Sequence, residues 1–173
     1  MATELKVLRK NGKVLRRGDG TVVRAASPSP ACCCEPTGPA ECSDLCNAGS
    51  QPASISVSFG GITDDGCASC SILNGSFDCP QTSDCTYQKG SIAVGGCTDP
   101  FFGGQLYASV TVLLGALGVT VILQVGAIGS LTFFRSLTPP VNCSSGISGA
   151  AAWQSGSLGS GCSGGPGSTC TIA

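Results

Sequence analysis

Between Asp99 and Arg135 the chain carries no charged residue, and apolar and small polar positions alternate within that window. In one run Tyr107, Ser109 and Thr111 alternate with Ala108, Val110 and Val112. In the next, Val119, Val121, Leu123 and Val125 share a face opposite Thr120 and Gln124. A period of two marks a strand with one buried face. Gly115 to Gly118 supply the hairpin turn between these strands, and a third run, Leu131 to Arg135, places Leu131 and Phe133 on one side. The apolar mass from Gln105 to Phe134 also has the length of a membrane-spanning helix, which needs about 20 residues. Against a helix, Gly115, Gly118, Gly126 and Gly129 interrupt it, and its many β-branched residues suit a pleated surface. No basic cluster or aromatic belt brackets it, as a span would show. Strands are the preferred reading and a membrane span the competing one.

The same alternation recurs at Ser54 to Gly60, where Ile55, Val57 and Phe59 oppose Ser54, Ser56 and Ser58. A turn follows at Asn74-Gly75, then a short strand around Ile92 and Val94, and a Gly/Ser-rich tail from Val141 anchored by Trp153. The total of about eight to ten strands predicts an antiparallel β-sandwich or jelly-roll-like domain over residues 42–173.

The first 26 residues differ in kind. Val7-Leu8-Arg9, Val14-Leu15-Arg16 and Val22-Val23-Arg24 repeat at spacings of seven and eight residues. Asn11-Gly12 and Asp19-Gly20 between them favour tight hairpins, so the expected structure is a three-stranded β-meander. Adjacent apolar residues in a strand face opposite ways, so such a small sheet needs cover on both faces. Val7, Leu8, Val14, Leu15, Val22 and Val23, with Arg9, Arg16 and Arg24, are therefore the candidate docking residues for a partner or for copies of the chain.

Charge sharpens this division. Residues 1–26 hold seven Lys or Arg against Glu4 and Asp19, whereas the rest holds Lys89 and Arg135 against eight acids. The basic arm could neutralise phosphates, yet no aromatic residue interleaves with the cations to stack on bases, so nucleic acid is not the favoured partner.

Residues 27–41 form a Pro-rich linker between the two parts, extended rather than packed. It contains Cys32, Cys33 and Cys34, consecutive thiols that cannot readily bridge one another and are candidates for interchain disulfides; pairing within their own domain is the alternative. The chain has 13 cysteines, an abundance that suggests a disulfide framework and an oxidising setting. Its intradomain candidates are Cys42, Cys46, Cys67, Cys70, Cys79, Cys85, Cys97, Cys143, Cys162 and Cys170. Cys42 and Cys46 with Cys67 and Cys70 could instead hold zinc in a nucleic-acid-binding module, a reading that leaves the other nine unexplained. The N-terminus lacks the apolar run of a signal peptide. Release by lysis in a virus particle would reconcile that with disulfides.

No catalytic constellation, metal site or cofactor is predicted. Gly161-Cys162-Ser163-Gly164-Gly165 matches the nucleophile-elbow pattern and Gly159 to Gly164 matches G-x-G-x-x-G. With no histidine in the chain a Ser-His-Asp triad cannot be built, and no helical pattern follows the glycines to meet a phosphate. Asp64 and Asp65 before Gly66 read as a turn rather than a calcium loop.

A basic repetitive arm, a proline linker with clustered thiols and a Cys-rich β domain together resemble the layout of a short bacteriophage tail fibre or another virion-surface protein. The resemblance spans the organisation of the whole chain. It implies an arm held by the particle through baseplate or capsid proteins, assembly as a homotrimer, and a β domain on the virion exterior facing a host-surface receptor. No enzymatic activity or membrane insertion is implied. The long shaft of many fibres is missing, so a capsid decoration protein fits as well, and a secreted or cell-surface disulfide-rich binding domain is a further alternative.

Overall fold

The computed structural model describes residues 45–47, 49–65, 69–98, 103–159 and 161–173, together with the backbone of four two-residue strands nearer the N-terminus. The chain divides into two units, Met1–Pro39 and Ala40–Ala173.

In the first unit, β1 (Lys6–Val7) pairs antiparallel with β4 (Arg24–Ala25), and β2 (Arg9–Lys10) with β3 (Lys13–Val14). Lys10 lies opposite Lys13, the pairing expected of a hairpin here; Asn11 and Gly12 themselves lie outside the described residues. The meander is corrected in one respect. Val7 of the first repeat lies opposite Arg24 of the third, so first and third copies are neighbours. Leu8, Leu15, Arg16, Val22 and Val23 lie outside the described residues.

The second unit contains β5 (Ser54–Gly60), β6 (Thr63–Asp64), a 3-10 helix (Cys70–Leu73), β7 (Ser76–Ser83) and β8 (Thr86–Thr98). These are followed by β9 (Gln105–Gly115), β10 (Gly118–Val125), β11 (Gly129–Ser136), β12 (Gly149–Leu158), β13 (Cys162–Ser163) and β14 (Thr169–Ile172). Eight strands close into an antiparallel barrel in the order β10-β11-β12-β14-β5-β7-β8-β9. The expected sandwich or jelly roll is thus replaced by a single closed sheet. Closure depends on β5, which pairs with β7 on one side, Val57 opposite Phe77, and with β14 on the other, Val57 opposite Ile172. A closed sheet leaves no pair of long free edges, the liability that a two-sheet arrangement must otherwise manage.

The Gln105–Phe134 stretch is β9, β10 and most of β11, with Val112 opposite Val121 and Val121 opposite Phe133. No helix among the described residues is long and apolar enough to cross a membrane, and this stretch contains none. The alternation read from sequence holds residue by residue. Ala108, Val110, Val112, Val119, Val121, Leu123, Val125, Leu131 and Phe133 are all buried. Burying each of the larger of these side chains contributes about 1.5–3 kcal/mol. From the far wall Ile55, Val57, Phe59, Cys79, Cys170 and Ile172 join the same core, and the Phe59 ring meets Phe133 at 5.7 Å between centroids. The outer positions are mixed: the Ser58 and Ser76 hydroxyls hydrogen-bond at 2.5 Å and Ser56 donates to Asp78, while Tyr107 and Leu113 of β9 are exposed. The apolar interior is the reverse of the polar lumen of a lipid-spanning barrel.

Each barrel end is covered by a segment held by a disulfide. At the end where β5 and β12 begin, residues 45–47 and Ser50 lie along residues 141–144. The Val141 amide donates to the Leu45 carbonyl at 2.7 Å, the Asn47 amide to the Val141 carbonyl at 2.8 Å, and Cys46 is bonded to Cys143. Leu45 and Ile147 are buried beneath this clasp. At the opposite end Cys70 of the 3-10 helix is bonded to Cys162 of β13.

The two bridges close comparable loops, with separations of 97 and 92 residues, and restricting an unfolded loop of that size is worth about 4–5 kcal/mol. Replacing Cys46 and Cys143 together by serine is expected to lower the urea midpoint substantially, and replacing Cys70 and Cys162 by a similar amount. Equilibrium unfolding of both double variants checks this; a midpoint unchanged in either would show that its bridge restrains nothing.

Candidate functional site

Among the described residues, a candidate site lies at the barrel end where the chain leaves β5 after Gly60. Its construction starts from a backbone with no strand partner. Past Gly60 the chain leaves the sheet, and Ile62 is left with peptide groups to satisfy. The Asn74 side chain acts as that partner: its carboxamide oxygen accepts from the Ile62 amide at 2.9 Å, and its nitrogen donates to the Ile62 carbonyl at 2.6 Å. With Ile62 so fixed, its side chain is buried and Thr63–Asp64 lies against Cys162–Ser163, Thr63 opposite Ser163. Asp64 then accepts from the Ser71 amide at 3.0 Å, tying β6 to the 3-10 helix that the Cys70–Cys162 bridge also holds. Asp64 therefore serves the helix; the turn expected at Asp64-Asp65 is corrected, since Asp64 is a strand residue paired with Cys162.

Opposite this excursion the barrel wall opens. β12 pairs with β14 only from Gly149 to Ala151, and the next contact is the bridge between Leu158 and Gly164. Between these points Gly164 to Ser168 bows outward as a tight loop. The Ser168 amide donates to the Gly165 carbonyl at 2.9 Å, and the Gly165 amide donates back to the Ser168 hydroxyl oxygen at 3.1 Å. Gly61 has φ of +74°, and a Cβ there would sit 2.8 Å from the Gly167 carbonyl oxygen, so only glycine lets the two segments approach so closely. The result is a cleft of about 320 Å³ lined by Gly61, Thr63, Ser163, Gly164, Pro166 and Ser168 among others. Its chemistry is that of hydroxyls and peptide groups. Asp64 and Asp65 follow Thr63 directly, making the surroundings acidic.

The cleft includes Ser163 and Gly164 of the nucleophile-elbow look-alike, but Cys162 is in a disulfide and the segment is a strand and loop. Thr63 and Ser168 carried no signal in the sequence. Their relevance comes from β6 pairing with β13 across about a hundred residues, which no local pattern records.

The other sequence-predicted sulfurs separate into distinct groups. Cys46 pairs with Cys143 and Cys70 with Cys162, and Cys85 is disulfide-bonded. Two thiols of the four-cysteine zinc set are thus consumed by bridges to cysteines outside that set, which removes the zinc alternative. Among the described residues no group of three or more His, Cys, Asp or Glu is placed to hold a metal ion. Cys79 and Cys170, expected in the disulfide framework, are instead free and buried. They flank β5 on opposite sides, Cys79 opposite Ile55 and Cys170 opposite Phe59. Two strand spacings of about 4.8 Å already exceed the Cα separation of about 7 Å that a disulfide can span. Cys32, Cys33, Cys34, Cys42, Cys67 and the side chain of Cys97 lie outside the described residues.

Burial is the main reason these thiols stay protonated. It pushes Cys79 up to about 11, with Asp78 adding to the rise and a hydrogen bond from the Lys89 backbone opposing it. Burial, then the proximity of Cys79, pushes Cys170 up to about 12. Tyr87, also inside the barrel, is raised by burial first and by Asp84 second.

No family model matches the chain, and no curated protein or solved structure is similar to it.

The thiols yield a test of the interior. Iodoacetamide at pH 8 is expected to leave Cys79 and Cys170 unmodified in the folded protein and to label both after unfolding without reductant, read by peptide mass mapping. Because both pKa values are raised on folding, their contribution to stability is intact below the ordinary value of 9.0 and is lost as pH rises through about 11 and about 12. Labelling of either thiol in the native state at pH 8 would contradict a sealed barrel.

Proposed function

We propose that the protein is a structural, non-enzymatic component of a virus exterior. In this reading it is a short oligomeric bacteriophage tail fibre whose N-terminal arm is held by the particle and whose barrel faces the host surface. The observation that carries the proposal is the pair of disulfides latching both barrel ends, Cys46–Cys143 and Cys70–Cys162. Such bridges persist in oxidising surroundings and suit a head that must survive outside a cell. The division of charge supports it: the basic repeats are concentrated in residues 1–26, while the rest of the chain is net acidic, as an anchor and a separate exposed head would require. A capsid decoration protein uses the same layout, with the arm docked on the capsid instead of the baseplate. A secreted or cell-surface binding domain is the second reading, favoured by the same two disulfides.

Deleting residues 1–26 is expected to leave a barrel with unchanged unfolding behaviour that no longer joins its assembly, measured by co-sedimentation with particles. Continued incorporation would dispose of the anchor role. Non-reducing electrophoresis is expected to show covalent multimers that disappear when Cys32, Cys33 and Cys34 are all replaced by serine; identical migration of parent and variant would remove the interchain bridges.

A further inference from the structure

We propose that the cleft between β6 and the Gly164–Ser168 loop binds an uncharged, hydroxyl-rich ligand, namely a neutral saccharide. Its volume of about 320 Å³ suits one or two sugar rings and falls at the small end of ligand sites. The lining selects the chemistry. Thr63 and Ser163 are exposed, face each other across the β6–β13 ladder and each present a hydroxyl that can donate and accept. Around them stand the peptide groups of Gly61, Gly164, Gly165 and Gly167. None of the lining side chains is ionisable, so a charged ligand finds no counter-charge. Asp64 and Asp65, immediately after Thr63, repel an anion approaching the rim. An apolar ligand finds Pro166 as the only large apolar side chain in the lining. What remains is a neutral molecule that exchanges hydroxyl hydrogen bonds.

A Cβ at Gly165 or Gly167 would meet nothing within 4 Å, and neither residue has the left-handed backbone that bars larger residues, so bulk can be added at these two lining positions without a clash. The walls are fixed before any ligand arrives: Ser168 closes the loop on Gly165, Asn74 holds Ile62, and the Cys70–Cys162 bridge holds the opposite rim. A cleft that is already shaped loses less ordering entropy on binding, which matters for weak polar ligands. The proposal rests on the reading of the barrel as a host-facing head. The deletion assay reads assembly and not sugar binding, so either can fail alone.

The test uses the full chain, labelled with nitrogen-15 and titrated with N-acetylglucosamine, methyl galactoside and maltose, with N-acetylneuraminic acid and inorganic phosphate as charged comparators. At least one neutral sugar is expected to shift amide resonances confined to residues 61–65 and 161–168. Gly165→Val and Gly167→Val, which add bulk at the lining, are expected to weaken that binding roughly tenfold or more, with the disulfides and unfolding midpoint retained. If a valine variant fails to fold, Gly165→Ala supplies the smaller obstruction and is expected to weaken binding in the same direction. A response to none of the neutral sugars, shifts located elsewhere, binding that survives both valine variants, or preference for a charged comparator would each overturn the assignment.

Discussion

The pairing of β5 with both β7 and β14 is the constraint on which the rest of the head depends. It joins the first strand of the barrel to the last and turns a meander with two bent-off excursions into a closed surface. Only after closure do the inward positions of all eight strands face a common interior, so that Phe59 of β5 can pack on Phe133 of β11. The long apolar stretch is then explained as a wall. Its β9–β10–β11 hairpins place Val112, Val121 and Phe133 in one cross-strand row pointing inward. The interior thiols follow as well. Cys79 and Cys170 occupy inward positions on the two strands flanking β5, where closure holds them too far apart to bond and too deeply buried to ionise.

Closure also creates the ends, and the ends are where the chain departs from regular structure. One is covered by residues 45–47, Ser50 and residues 141–144, the other by Gly61–Gly75 with β13 and the loop after it. Both covers are short segments that would be marginal alone; among the described residues the Cys46–Cys143 bridge ties the first and the Cys70–Cys162 bridge the second. The covers extend the apolar core, with Leu45, Ile62, Leu73 and Ile147 buried, and their backbone is held by covalent links and by side chains such as Asn74 that replace strand partners.

Much of the local structure was legible in the residues. The strands at Ser54–Gly60, Gln105–Gly115, Gly118–Val125 and Gly129–Ser136 were visible because each has one buried face, and burial imposes a period of two that survives in the sequence. The β2–β3 pairing was visible through Asn11-Gly12, since backbone twist at a tight turn is a local demand. The sandwich expectation was wrong for a matching reason. Alternation reports that a strand has an inside and an outside, and it is identical for two stacked sheets and for one closed sheet.

By itself, then, the sequence determined the class of the fold, the inward and outward faces of its strands, and the contrast between a basic N-terminal segment and an acidic remainder. Tertiary structure alone decided closure into a barrel, which cysteines bond, and the existence of the cleft. The reason is common to all three. Bringing Cys70 to Cys162, or Thr63 to Ser163, requires the register of strands far apart in the chain. Register is set by the fit of the whole core and leaves no periodic trace in any one segment.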